Sequence, residues 1–265
     1  MYDEESQGVY LYGIVKSSEP GNLGKIGINH EQVFLIPYRD ICAVVHMCTT
    51  NPYITDDGDE AKSWIIAHQY VLDLVTAKYG TVIPITFDTI FKGNENIVRN
   101  WLQEKYEELG DMLQNLNGKA EYGVQIFLDK KHLDKIIDSE ESIITQVKSL
   151  KGKPEGVVYL LKKRLEDSKK IHKDQLTQKI SKNLLDEIKG LVKEMKIEQI
   201  RKTHQELWKD RVMILNASCL LQEEEVKPLG DLLSKINQKK GYKVRFTGPW
   251  PPYSFVNGMT KSEEV

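Results

Sequence analysis

The chain has 265 residues, and its 37 Lys+Arg against 39 Asp+Glu leave a formal net charge of −2, which excludes a general attraction for nucleic acid or acidic lipid headgroups. Hydrophobic residues at 40 % and charged residues at 29 % exclude a disordered chain and allow a sizeable core, in one large domain or two ordinary ones. No run approaches the ~18 apolar residues of a membrane span, and Met1-Tyr2-Asp3-Glu4-Glu5 is acidic where a secretory signal is basic and then apolar; the expectation is a soluble, cytoplasmic protein.

Residues 9–15 and 41–47 are short, apolar and rich in β-branched or aromatic side chains, as buried strands are. Between them Gln32-Val33-Phe34-Leu35-Ile36 is a third candidate strand, with Pro37 immediately after it. From Glu60 the period changes: Trp64, Ile65, His68, Val71, Leu72, Val75 and Tyr79 recur at threes and fours, one face of a helix that Gly80 stops. Residues 82–87 alternate as a strand, and Pro84, which lacks a donor, belongs at its edge, start or bulge. The spacing predicts a helix over about 94–116, with Ile97, Trp101, Leu102, Leu109, Leu113 and Leu116 as its stripe and Asn117-Gly118 as its stop. A strand follows at 122–128.

Past Lys151-Gly152-Lys153-Pro154 few breakers intervene before Trp208. Leu161, Leu165, Leu176, Ile180, Leu184, Ile188, Leu191 and Met195 form a stripe there, so a long, half-solvated helix is expected over about 155–208. Residues 212–221 read as a strand, Glu223–Lys240 as a helix carrying Val226, Leu229, Leu232, Leu233 and Ile236, and 242–246 as a last strand. The order is α+β of the ferredoxin-like kind, with helices covering one face of an antiparallel sheet. Two such domains are expected, 1–118 and 119–265, the second holding the long helix and an extended Pro/aromatic tail from about 248 to 265. No repeat links the halves.

Catalytic constellations are absent from the pattern. The six histidines have no HxxxH, HxH or His-Glu spacing that would fix a metal, and His68 lies on an apolar stripe, where a satisfied core histidine is the ordinary reading. There is no GxSxG. Gly21-Asn22-Leu23-Gly24-Lys25-Ile26-Gly27 lacks the gap, the Lys-Ser/Thr ending and the following helix of a phosphate loop, so it reads as a turn. The acidic clusters at 56–60 and 223–225 fall at helix starts, where carboxylates complement the dipole. The three cysteines, Cys42, Cys48 and Cys219, are odd in number and without CxxC spacing, so they read as core residues rather than a disulfide or zinc framework. Asn216-Ala217-Ser218 is a chance sequon in a chain that does not enter the secretory path. Arg supplies only six of the 37 basic residues, and Lys is the poorer reader of phosphates and bases. No cofactor is expected.

One stretch demands more. Thr247-Gly248-Pro249-Trp250-Pro251-Pro252-Tyr253-Ser254-Phe255-Val256 carries three prolines in four positions, which forbid helix and make a stiff extended segment. Its rings are expected to seal the open end of the C-terminal domain's own core, and Trp250, Tyr253 and Phe255 also suit a surface for another protein, rigid aromatics being good anchors. Pro84, on its edge strand, is a further candidate contact.

The terminal Thr247 to Phe255 segment resembles the ending of the gas vesicle GvpL/GvpF family. Tyr10-Leu11-Tyr12-Gly13-Ile14-Val15 resembles that family's opening strand, Val82 to Phe91 its Pro-containing strand, and Ala120-Glu121-Tyr122-Gly123-Val124 a later strand opening. Pro154 to Leu161 and Asn216 to Leu221 fall in family order. The chain departs where the family often has a basic residue and then Gly, here Thr86 and Asp88, and where it has Trp, here Tyr122. The resemblance implies a non-enzymatic accessory or minor structural protein of gas vesicle assembly, located in the cytoplasm and at the gas vesicle. It implies contact with the small hydrophobic shell protein and other accessory proteins. An apolar shell subunit would aggregate in water, and a partner with an aromatic patch or open strand edge would cover it before assembly. The rival expectations are a ferredoxin-like enzyme or small-molecule regulator, which a deep pocket lined by His and carboxylates would favour, and an RNA-binding module, which a basic aromatic sheet face would favour.

Overall fold

In the computed structural model, which describes residues 7–200 and 208–256, the chain begins with four consecutive strands: β1 (Gln7–Lys16), β2 (Gly21–Gly24), β3 (Val33–Tyr38) and β4 (Ile41–Thr49). A two-residue turn at Arg39-Asp40 joins β3 to β4, and Pro37 is accommodated inside β3, opposite Cys42. Helix α1 (Gly58–Tyr79) follows. Its start is fixed by Asp57, whose carboxylate accepts from the backbone N–H of Asp59 at 2.9 Å and Glu60 at 3.3 Å, the capping expected of this acidic cluster. Gly80, at φ +84°, ends it in a backbone conformation that costs glycine nothing.

The expected strand over 82–87 is shorter than its pattern. Its ladder stops at Pro84, so β5 is Val82–Pro84, and after a break at 85–89 the chain returns as β6 (Ile90–Lys92). Both pieces pair antiparallel with β1, Gly13 opposite Pro84 and Tyr10 opposite Ile90. The break is made by Pro84, which has no N–H to offer, and by Asp88, at φ +68°. The strand order is β2-β3-β4-β1-β5, with β6 also on β1.

The register of β1 against β4 slips between Leu11 and Gly13. This bulge reverses the alternation: Tyr10, Tyr12 and then Val15 face the cluster that contains Trp64, Val71, Leu72 and Val75 of α1, while Val9, Leu11 and Ile14 are buried on the opposite side. Both faces of β1 are therefore closed off, where helices on a single face were expected. The remaining helices of this part form two pieces, α2 (Glu95–Glu104) and α3 (Tyr106–Leu116), because Lys105 between them leaves helical geometry at φ −97°, ψ 8°. They pack against β3, β5 and β1, with Val98, Leu102, Leu109, Leu113 and Leu116 buried; Ile97 is exposed instead.

Next come β7 (Lys119–Asp129), α4 (Lys130–Asp138), α5 (Glu141–Lys148), α6 (Glu155–Lys189), β8 (Glu194–Ile197), β9 (Arg211–Gln222), α7 (Glu223–Gln238) and β10 (Tyr242–Trp250). The second sheet runs β10-β7-β9-β8, and its core joins Val124, Ile126 and Leu128 of β7 to Leu215, Cys219 and Leu221 of β9, Leu184 and Ile188 of α6, and Leu229, Leu233 and Ile236 of α7. Two short helices, α4 and α5, fill a stretch the pattern left unassigned. The long helix is shorter than its expected span of 155–208. It stops at Lys189, and Met195, which seemed to continue its stripe, sits in β8 opposite Cys219 of β9: the edge of β9 takes up these backbone groups, so a sheet ladder replaces the helical one. Part of the expected span, 201–207, lies outside the described residues.

The chain divides into two compact units. One is built from the sequence up to Glu121 together with the segment from Pro249; the other is Tyr122–Gly248. The expected boundary after residue 118 thus falls three residues later, within β7. The tail, expected to seal the C-terminal domain, belongs to the first unit.

Candidate partner-binding surface

The tail leaves β10 at Trp250 and makes a 3-10 turn at Tyr253–Phe255. Pro251, Pro252 and Val256 are buried, Tyr253 and Phe255 are half-buried, and Tyr253 packs against the core of the first unit. Two polar contacts fasten it. The Tyr253 hydroxyl lies 3.0 Å from Nε2 of His68. One residue on, the carboxylate of Glu121 accepts from the Ser254 N–H at 2.8 Å and from its hydroxyl at 2.6 Å. An ionised acceptor holding two donors is among the stronger hydrogen-bonding arrangements.

Below Tyr253 lies a polar-aromatic cluster. His68, on the buried face of α1, has its other ring nitrogen, Nδ1, 2.8 Å from the Tyr10 hydroxyl, so a single imidazole bridges β1 and the tail. The Tyr10 hydroxyl also accepts from the Asp88 N–H at 3.0 Å, and the Asp88 carboxylate accepts from the Tyr53 N–H at 2.9 Å. That contact accounts for Asp88 at the break between β5 and β6. The Tyr12 hydroxyl accepts from the Ile28 N–H at 3.0 Å. His46, on β4, stacks on Tyr10 with the rings 16° from parallel, and its Nε2 lies 3.0 Å from the Tyr53 hydroxyl.

Burial sets the electrostatics. It lowers both histidines to about 4, His46 with help from the neighbouring His68, and His68 against a raising hydrogen bond to the Ile85 backbone. Burial likewise raises the hydroxyls of Tyr10, Tyr12 and Tyr253 well above the ordinary tyrosine range and pushes the Cys48 thiol up to about 12. At neutral pH these imidazoles, phenols and the thiol are therefore uncharged. Both nitrogens of His68 are engaged by tyrosines, so the imidazole serves as a bridge, and Cys48 carries no thiolate. Among the described residues no group of three or more His, Cys, Asp and Glu is placed to hold a metal ion.

The four residues singled out from the sequence thus separate. Pro84 is buried opposite Gly13, so its ring is enclosed and offers no surface. Tyr253 packs on the core and meets His68, and Phe255 is half-buried. Trp250 is 49 % exposed and is held by a segment whose following residues are pinned, a rigid aromatic presented to solvent. On α1, Ile65, Ile66 and Tyr70 are also exposed. Ile65 was assigned to the buried stripe, yet it adjoins Trp64 around the helix and falls just beyond the face that meets the sheet. The adjacent Ile65-Ile66 pair was the available signal, since one buried face cannot hold every apolar residue of this helix. No helix among the described residues is long and apolar enough to cross a membrane.

The family of gas vesicle synthesis proteins GvpL/GvpF matches residues 8–257, nearly the whole chain and both units. The chain belongs to the GvpL/GvpF family. Among its relatives, gas vesicle protein L1 of Halobacterium salinarum is 29 % identical over 97 % of this chain and 92 % of its own length. Gas vesicle protein L of Haloferax mediterranei is 30 % identical over 87 % and 72 %. The crystal structure of GvpF from an Anabaena species shares the fold, with a TM-score of 0.73 at 23 % identity, covering 94 % of this chain and 98 % of that one. The GvpL/GvpF membership that the sequence resemblance implied is thereby shown, and this family is one of gas vesicle proteins, not of enzymes.

Proposed function

We propose that this member of the GvpL/GvpF family, whose part is in gas vesicle formation, acts in the cytoplasm and at the vesicle as an accessory or minor structural protein. It binds the hydrophobic shell protein and other accessory proteins and shields the shell protein's apolar face from aggregation before assembly. The single observation that carries this reading is the family match across residues 8–257. The structure supports it further with an exposed Trp250 on a stiffened segment and exposed Ile65, Ile66 and Tyr70 on α1, apolar groups of the kind that an apolar partner covers. The strand–helix–strand–strand–helix–strand course of the second unit, with its first strand between its last and third, supports reading that unit as ferredoxin-like.

The test is binding of purified shell protein to the full chain and to Trp250→Ala. Trp250 is the clean probe because its ring is half exposed, whereas replacing Tyr253 also strips His68 of a partner. The expected result is at least ~10-fold weaker binding, about 1.4 kcal/mol, with an unchanged melting temperature. Undiminished affinity would remove the tail from the interface, and no binding by the intact chain would remove the shell protein as partner.

A further inference from the structure

Helix α6 has 35 residues, of which only Leu184 and Ile188, near its end, are buried. Farther upstream its inward side is defined by polar contacts with α4, α5 and the turn between them: Lys169 Nζ to Asp138 at 2.6 Å, Lys173 Nζ to Asp134 at 2.6 Å, His172 to Glu140 at 2.7 Å, and Gln146 Nε2 to the Ser168 hydroxyl at 3.0 Å. Proceeding by ~100° per residue, Leu160, Arg164, Asp167 and Ile171 fall together roughly 130° round from that side. Their spacing of four, three and four is that of a coiled-coil seam. Leu160 is 60 % and Ile171 55 % exposed. Arg164 and Asp167 are exposed as well, and neither engages in an ion pair among the described residues.

The order of this seam, apolar, basic, acidic, apolar, is complementary to its own reverse. We propose that it docks against the same seam of a second copy of the chain, antiparallel, about a two-fold axis between Arg164 and Asp167. In that register Leu160 meets Ile171 twice and Arg164 meets Asp167 twice, one isologous interface. A parallel pairing would set Arg164 against Arg164 and Asp167 against Asp167, so the charges select both the orientation and the register. Val157, 42 % exposed, falls opposite Asp174 at the rim, where water reaches both. A seam of four residues per copy is below the usual size of a stable interface, so the association is weak and depends on concentration.

Sedimentation of the full chain from ~5 to ~200 µM tests this, a range suited to micromolar dissociation constants. The expected result is a reversible monomer–dimer equilibrium. Leu160→Asp with Ile171→Asp abolishes it without altering the circular dichroism spectrum, since both sites are on the surface. Arg164→Asp alone and Asp167→Arg alone each weaken it at least fivefold, and the double exchange restores it to within threefold. A chain that stays monomeric throughout, including one whose seam instead captures a different protein, overturns the proposal. So does a dimer that survives the Leu160/Ile171 change, or a double exchange no better than either single one.

Discussion

His68 connects three separate parts of the sequence: β1 through Tyr10, its own helix, and the tail through Tyr253. Burial keeps it neutral at pH 7, as it does His46 in the stack on Tyr10. Both titrate at about 4 in the folded chain against about 6.5 when unfolded. The unfolded chain therefore binds the extra protons first as the pH falls, so these residues contribute their full stability above pH 6.5 and lose it progressively between 6.5 and 4. At ~1.4 kcal/mol per pKa unit each histidine accounts for about 3 kcal/mol of that loss. Denaturant melts from pH 7 to 4 should show the slope, and His68→Gln should show about half of it; an unchanged slope in the variant would place the acid sensitivity elsewhere. Tyr253→Phe keeps the ring but leaves Nε2 of His68 without its partner, and should cost about 1–2 kcal/mol at pH 7 by the same melts.

At the scale of elements, legibility followed burial pattern. The strands β1, β4, β7 and β9 showed themselves as dense apolar runs, and the helices α1 and α7 because each carries enough apolar positions to set a period. Four-residue β2, with glycine at both ends, and three-residue β6 have none, and they exist because β3 and β1 offer them a ladder. The end of α6 was illegible for a related reason: Met195 continues a helical spacing equally well, and only the neighbouring strand decides against it. The bulge in β1 was hidden too, since an all-apolar strand gives no alternation to interrupt, yet it is what turns Val15 to the face that Tyr10 and Tyr12 share. Its neighbour Gly13 permits close approach: a Cβ there would lie 2.8 Å from the Ile83 carbonyl oxygen and from Cγ2 of Val82. Gly13→Ala should accordingly cost about 1–3 kcal/mol in a thermal melt, because the clash is with a backbone atom as well as a side chain.

For the molecule as a whole, the sequence showed that the tail is stiff and aromatic, but not which core it serves. Tyr253 and His68 are 185 residues apart, and no local pattern spans that interval. Of the four candidate contacts only Trp250 stands exposed, while Pro84 is enclosed and Tyr253 and Phe255 are half-buried. A chain stopped after Gly248 should lose on the order of 3–5 kcal/mol, since it deletes the buried Pro251, Pro252 and Val256 together with the half-buried Tyr253. Hydrogen exchange should localise that loss to β1, β4 and α1 while the amides of β9 and α7 keep their protection; equal deprotection of both units would show that the tail stabilises them alike. Because the fastening stretch is translated only after all of the second unit, a ribosome making this protein completes the rest of the first unit long before its plug, and that unit waits unplugged while Tyr122–Gly248 is made. Its nascent chain should accordingly be a chaperone client, released from that need when Tyr253 and Ser254 emerge.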